Sequence, residues 1–169
     1  MMKNKRLLAA LICAALMAVA TGCGSAASAA QNSSTAVASE AAPSELMDKD
    51  AYLEELVGLD TGVMDFAEAV TAINDESIDN ETVIQMIRNS KNVFVDFSEI
   101  NNPPAGYEQL HGEMTALCSK LASDIDRYAD TLQSILDGEA ETTALDEIVN
   151  DISADGDEMS RVREEIGAL

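Results

Sequence analysis

Residues 114–135, Met-Thr-Ala-Leu-Cys-Ser-Lys-Leu-Ala-Ser-Asp-Ile-Asp-Arg-Tyr-Ala-Asp-Thr-Leu-Gln-Ser-Ile, decide the fold. Apolar side chains recur at Met114, Cys118, Leu121, Ile125, Tyr128, Leu132 and Ile135, in steps of four and three. Such steps return to one side of a helix, whereas a half-buried strand would alternate at every second residue. The stretch therefore predicts an amphipathic helix of about six turns. One such helix buries only a stripe, so the rest of the chain must supply its partners.

Three further segments carry the same period. They are Tyr52, Leu56, Leu59, Val63, Phe66, Val70, Ile73; then Val83, Ile87, Phe94, Phe97, with Ser90 in register and Ile100 at the end; then Leu145, Ile148, Ile152, Met159, Val162, Ile166, Leu169, interrupted at Asp155. Met64, Met86, Met114 and Met159, one per segment, read as core filler. Gly58 and Gly62 each weaken the first helix by about 1 kcal/mol relative to Ala and mark a close helix contact or a bend.

Punctuation separates the four. Asn74 to Ser77 ends the first segment, with Asp79 or Asn80 to cap the second. Asn101-Asn102-Pro103-Pro104 stops the second, which reads as one helix of about 20 residues, and Pro104 suits the first turn of the third. Asp137-Gly138 ends the third, and Thr142 or Thr143 caps the fourth. Connections this short predict an all-α, antiparallel up-down-up-down four-helix bundle over residues 46–169.

The chain ahead of the bundle has another character. Lys3, Lys5 and Arg6 precede an uncharged run from Leu7 to Ala20. Such a run spans about 21 Å as a helix, short of a hydrocarbon core of about 30 Å. A basic head, a short apolar body and small residues after it form a secretion signal. Ala20-Thr21-Gly22-Cys23 closes that run and resembles the lipobox of bacterial lipoproteins. The resemblance implies cleavage before Cys23, acylation of its sulfur and a lipid-anchored extracytoplasmic protein. The whole chain resembles the small helical-bundle lipoproteins of bacteria, especially Gram-positive ones. Two alternatives stand: cleavage at Ala27-Ser28-Ala29, which would free the protein, and a retained anchor helix. The expected layout is signal peptide 1–22, lipidated cysteine and disordered Ala/Ser linker 23–45, and bundle 46–169.

After cleavage, seven basic residues face 31 acidic ones, a net charge of −24. Such a surface repels nucleic acid. Cys13 would leave with the signal and Cys23 would carry lipid, so Cys118 has no partner for an internal disulfide.

Candidate chemistry is sparse. His111, the single histidine, stands in Glu108-x-x-His111, a spacing that di-iron bundles use twice and this chain holds once. Cys118 sits on the apolar stripe as a small hydrophobe. Asp151-x-Ser153-x-Asp155-Gly156 matches the opening of a calcium loop, but Val162 stands where the closing glutamate is needed. The sequence predicts no catalytic residues and no cofactor. It leaves two expectations: a non-enzymatic envelope protein with a filled core and an outer apolar patch for a protein partner, or a cation- or ligand-binding lipoprotein. The second would carry a polar cavity between helices near Tyr107, His111 and Tyr128.

Overall fold

The computed structural model describes residues 45–169. Cys23, the lipobox residues Ala20, Thr21 and Gly22, and the linker to residue 44 lie outside the described residues. Within them the chain is a helical bundle with no strand. Its elements are α1 (Lys49–Ala72), α2 (Asn80–Ser90), α3 (Asn92–Ser98), α4 (Glu108–Asp137) and α5 (Ala144–Gly167).

Local chemistry sets the helix ends. The Asp48 carboxylate accepts from the amides of Asp50 and Ala51 at 2.9 and 3.4 Å. Asp79 caps α2 by accepting from the Thr82 amide at 2.8 Å and its hydroxyl at 2.7 Å. These carboxylates satisfy helix donors that have no partner within the helix. Gly138, at φ 80°, closes α4, and the Glu139 amide donates to the Ser134 carbonyl at 2.8 Å. This is a Schellman stop, and its left-handed residue favours glycine.

Four expectations need correction. The second rod is not one helix: it breaks at Lys91 between α2 and α3. The buried Ser90 hydroxyl donates to the Ile87 carbonyl at 2.7 Å, while the Lys91 amide turns to Asn89. A hydroxyl thus occupies the acceptor that the next amide would have used, a known cause of helix bending. Pro104 does not open α4, which starts at Glu108 after a turn through Gly106 at φ 88°. Thr143 holds the N-cap position of α5, but its side chain makes no capping bond. Met64 is not core filler: it is 63% exposed, because it falls five residues after Leu59 and off the buried stripe.

The four stripes meet in one core. Tyr52, Leu59, Ile87, Phe94, Phe97, Met114, Cys118, Tyr128 and Ile166 are all essentially inaccessible. Of the two glycines in α1, Gly62 marks the close contact. A Cβ there would lie 2.2 Å from Val93 Cγ1 and 2.9 Å from the Phe94 ring, whereas at Gly58 Val93 is 4.0 Å away. Val93 and Phe94 of α3, just past the break at Lys91, lie against that glycine. α5 packs chiefly on α4, and α1 on α2 and α3. Ion pairs join Glu113 to Arg161, Lys120 to Asp155 and Arg127 to Asp151 across α4 and α5, so residue numbers rise on one helix as they fall on the other.

Candidate functional site

His111 lies in the first turn of α4 and is buried. Its Nε2 is 2.8 Å from the Ile100 carbonyl, and its Nδ1 is 3.1 Å from the Tyr52 hydroxyl. A carbonyl only accepts, so Nε2 carries the proton; Nδ1 then accepts from Tyr52. Neither nitrogen is left for a ligand. Tyr52 packs edge-on against both Tyr107 and His111, with ring centroids 5.6 Å apart in each case. The Glu108 carboxylate is held below its ordinary value by its own amide and that of Gly106. It is engaged at the helix start.

Tyr128 does not join this cluster. It lies 17 residues further along α4, about 25 Å away at helical rise. There it packs edge-on against Phe66 at 5.4 Å. Tyr107, His111 and Tyr128 therefore do not line one cavity. Burial pushes the Tyr52 and Tyr128 phenols above their ordinary range, and the Cys118 thiol up to about 12. A thiol so shifted is a poor nucleophile at neutral pH.

The calcium-loop reading of Asp151, Ser153 and Asp155 also fails on geometry. α5 runs unbroken through all three. Residues two apart on a helix point to different sides, so they cannot converge on one ion. Asp155 bonds Lys120 at 2.6 Å, and Asp151 meets Arg127 at 3.3 Å, which also holds Asp124 at 2.6 Å. Among the described residues no group of three or more His, Cys, Asp or Glu is placed to hold a metal. Asp124 and Asp155 are buried, and each keeps one carboxylate oxygen with no protein partner.

The feature that the sequence did not indicate is an apolar pocket between α1 and α5. Val63 and Phe66 of α1, Phe94 of α3, Leu121 and Ile125 of α4, and Ile152 and Met159 of α5 form its walls. Ser153, Gly156 and Asp157 complete it from α5. Its cavity volume of about 40 Å³ is far below the roughly 300 Å³ that drug-sized ligands need. On its outer face α1 exposes Val57 and Met64, 61% and 63% accessible. The one sequence signal was Met64, apolar yet out of register.

Charge is distributed unevenly around these features. Arg88, Lys91, Lys120, Arg127, Arg161 and Arg163 each pair with a carboxylate within the bundle. The remaining described cation, Lys49, lies over the Tyr107 ring at 5.6 Å. Residues 45–169 hold 30 acids against these seven cations, and nine of the acids take part in the ion pairs. The outward charge is therefore almost all carboxylate. No protein-family model, curated protein or solved structure compared with the chain matches it.

Proposed function

We propose that this protein is a lipid-anchored, extracytoplasmic lipoprotein whose acidic bundle, up-down-up-down in topology, is a non-enzymatic module that binds another envelope protein. The observation that carries the reading is the state of the groups that could otherwise do chemistry. His111 has both nitrogens engaged, Cys118 is buried with its thiol pushed up, and the buried acids Asp124 and Asp155 sit in ion pairs. What faces outward instead is an apolar pocket, with Val57 and Met64 exposed on the outer face of α1. Where such residues gather into one patch, exposed apolar surface marks protein contact.

The lipobox at Ala20 to Cys23 supports the anchoring. The Met47 amide donates to the Asn102 carbonyl at 2.7 Å, and the Asn102 amide group donates to the Glu45 carbonyl at 2.7 Å. The chain thus enters the bundle at the end that holds Tyr52 and His111, and that end would face the membrane.

Two measurements test the reading. Mass spectrometry of the protein from membranes should find a diacylglyceryl group on an N-terminal Cys23, and Cys23→Ala should move the protein out of the membrane fraction. An unmodified terminus at Ala30 overturns the anchor. Photo-crosslinkers placed around the bundle should join it, in intact cells, to one protein partner at one face. Crosslinking without preference for face or partner overturns the binding role.

A further inference from the structure

We infer that the groove between α1 and α5 is the docking site for a cationic amphipathic helix of a partner protein, which seats an apolar side chain in the pocket. This rests on the reading of the bundle as a protein-binding module and names the face and the chemistry of the partner.

The geometry of α1 places the apolar rim. Asp60 forms an ion pair with Arg163 of α5, and Gly62 abuts Val93 of α3, so the two flanks of α1 are fixed. At about 100° per residue, Val57 and Met64 fall about 40–60° from Asp60 and about 140–160° from Gly62. They therefore stand on the α5 side of the outer face of α1, two turns apart, beyond Asp60 and about 100–120° round the helix from Val63 of the pocket wall. Gly156 contributes no side chain to the facing wall, and a Cβ there would meet nothing within 4 Å. The pocket behind it is small and apolar, the size of an anchor for one side chain rather than of a ligand cavity.

The opposite rim is acidic. Asp157 lies at the pocket, and Asp146 and Glu164 stand eleven residues before and seven after it. Those spacings return to one side of a helix, so the three carboxylates form a row about 27 Å long. None of them belongs to an ion pair among the described residues. A partner helix with Lys or Arg at the same spacing would match this row while its apolar face covers Val57 and Met64, the groove mode of helix recognition. Charge argues against a second copy as occupant. Each bundle carries −23 over residues 45–169, and its cations already have partners within the bundle, so two copies repel.

The test uses the full chain in a zwitterionic detergent, titrated with fluorescent 18-residue helical peptides that carry a photoreactive group. One peptide has Leu on one face and Lys on the other; a second has Glu in place of Lys; detergent alone is the blank. The Leu/Lys peptide should bind and crosslink to α1 and α5. Val57→Asn with Met64→Asn, or Gly156→Leu, should weaken it tenfold or more, whereas Glu139→Gln, in the α4–α5 turn, should change it by less than twofold. The Asn variants alter exposed positions and should melt within a few degrees of the parent. The inference is overturned if the Leu/Lys peptide does not bind, if the variants bind it equally, or if the Leu/Glu peptide binds as well. Self-association that the Asn pair abolishes would instead make the face a dimer contact and overturn it too. A cellular partner crosslinked at another face would sink the groove and leave the binding role standing.

Discussion

The Tyr52 hydroxyl donates to His111 Nδ1 across 3.1 Å, and this bond ties the first turn of α1 to the first turn of α4. Through Nε2, His111 also holds the Ile100 carbonyl, so one imidazole fastens two helices and the connection before α4. Tyr52→Phe removes the donor and leaves a buried nitrogen unpaired, which should cost about 1–3 kcal/mol. Tyr128→Phe is the control. Its hydroxyl is buried without a protein partner, so its removal should be neutral or stabilising. Urea unfolding of both variants checks the contrast, and equal losses would show that the Tyr52–His111 bond contributes nothing specific.

Gly62 and Gly58 should respond to alanine with opposite signs. Alanine is the better helix former by about 1 kcal/mol at either position. At Gly58 the new methyl has room, so Gly58→Ala should stabilise. At Gly62 it would meet Val93 at 2.2 Å and Phe94 at 2.9 Å. Overpacking there should outweigh propensity and cost about 1–3 kcal/mol. Adding Val93→Ala to Gly62→Ala should recover part of the loss. Thermal melts of the two single variants and the double variant decide it.

The contrast between these glycines shows what the sequence could convey. Both interrupt the same pattern, and only the packing of α3 tells them apart. The helices themselves were legible because their stripes repeat faithfully, and Asp79 and Gly138 were legible because capping and left-handed residues are local chemistry. The break at Lys91 was foreshadowed by Ser90 in an apolar register, but a serine there could equally have been a silent substitution. The pocket was not legible. It arises where α1 and α5, distant in sequence, pass side by side, and no local spacing encodes their separation. His111 misled for a related reason: a histidine and two tyrosines suggest a polar cavity, yet Tyr107 and His111 both close on Tyr52 and Tyr128 lies elsewhere.

The Lys120–Asp155 pair should be asymmetric. The Asp155 side chain is 8% exposed and that of Lys120 55%, so removing Lys120 strands a buried carboxylate. Lys120→Ala should destabilise by about 1–3 kcal/mol, less than for a fully buried pair because solvent reaches the ammonium. Asp155→Leu places an apolar side chain at a register position of α5 and should be neutral or stabilising. The hydrogen bond with Asp155 raises the Lys120 pKa. The sign follows: the stabilisation is complete below the ordinary lysine value and is lost as pH rises through the higher folded value. Melting temperatures between pH 8 and 12 should fall for the parent and fall less for Asp155→Leu.

Salt and acid should both act on the bundle through its carboxylates. With −23 over residues 45–169, the folded state concentrates like charge that unfolding disperses. Raising salt from 0.01 to 0.15 M shortens the screening length from about 30 to about 8 Å. Salt also weakens the ion pairs, but those engage nine carboxylates against 21 without a cation. Repulsion should therefore dominate, and the melting temperature should rise with salt. Acid removes the same repulsion but also discharges specific bonds. Hydrogen bonds from the side chain and backbone of Ser77 lower the Asp75 pKa, and those of Thr82 lower that of Asp79. Carboxylates so lowered stabilise fully above the ordinary carboxylate range and lose that contribution as pH falls through their folded values. Asp79→Asn should therefore melt below the parent at pH 7, and the gap should close toward pH 2 as Asp79 takes up its proton. A gap that stays constant from pH 7 to pH 2 would show that the Asp79 charge plays no part in capping α2.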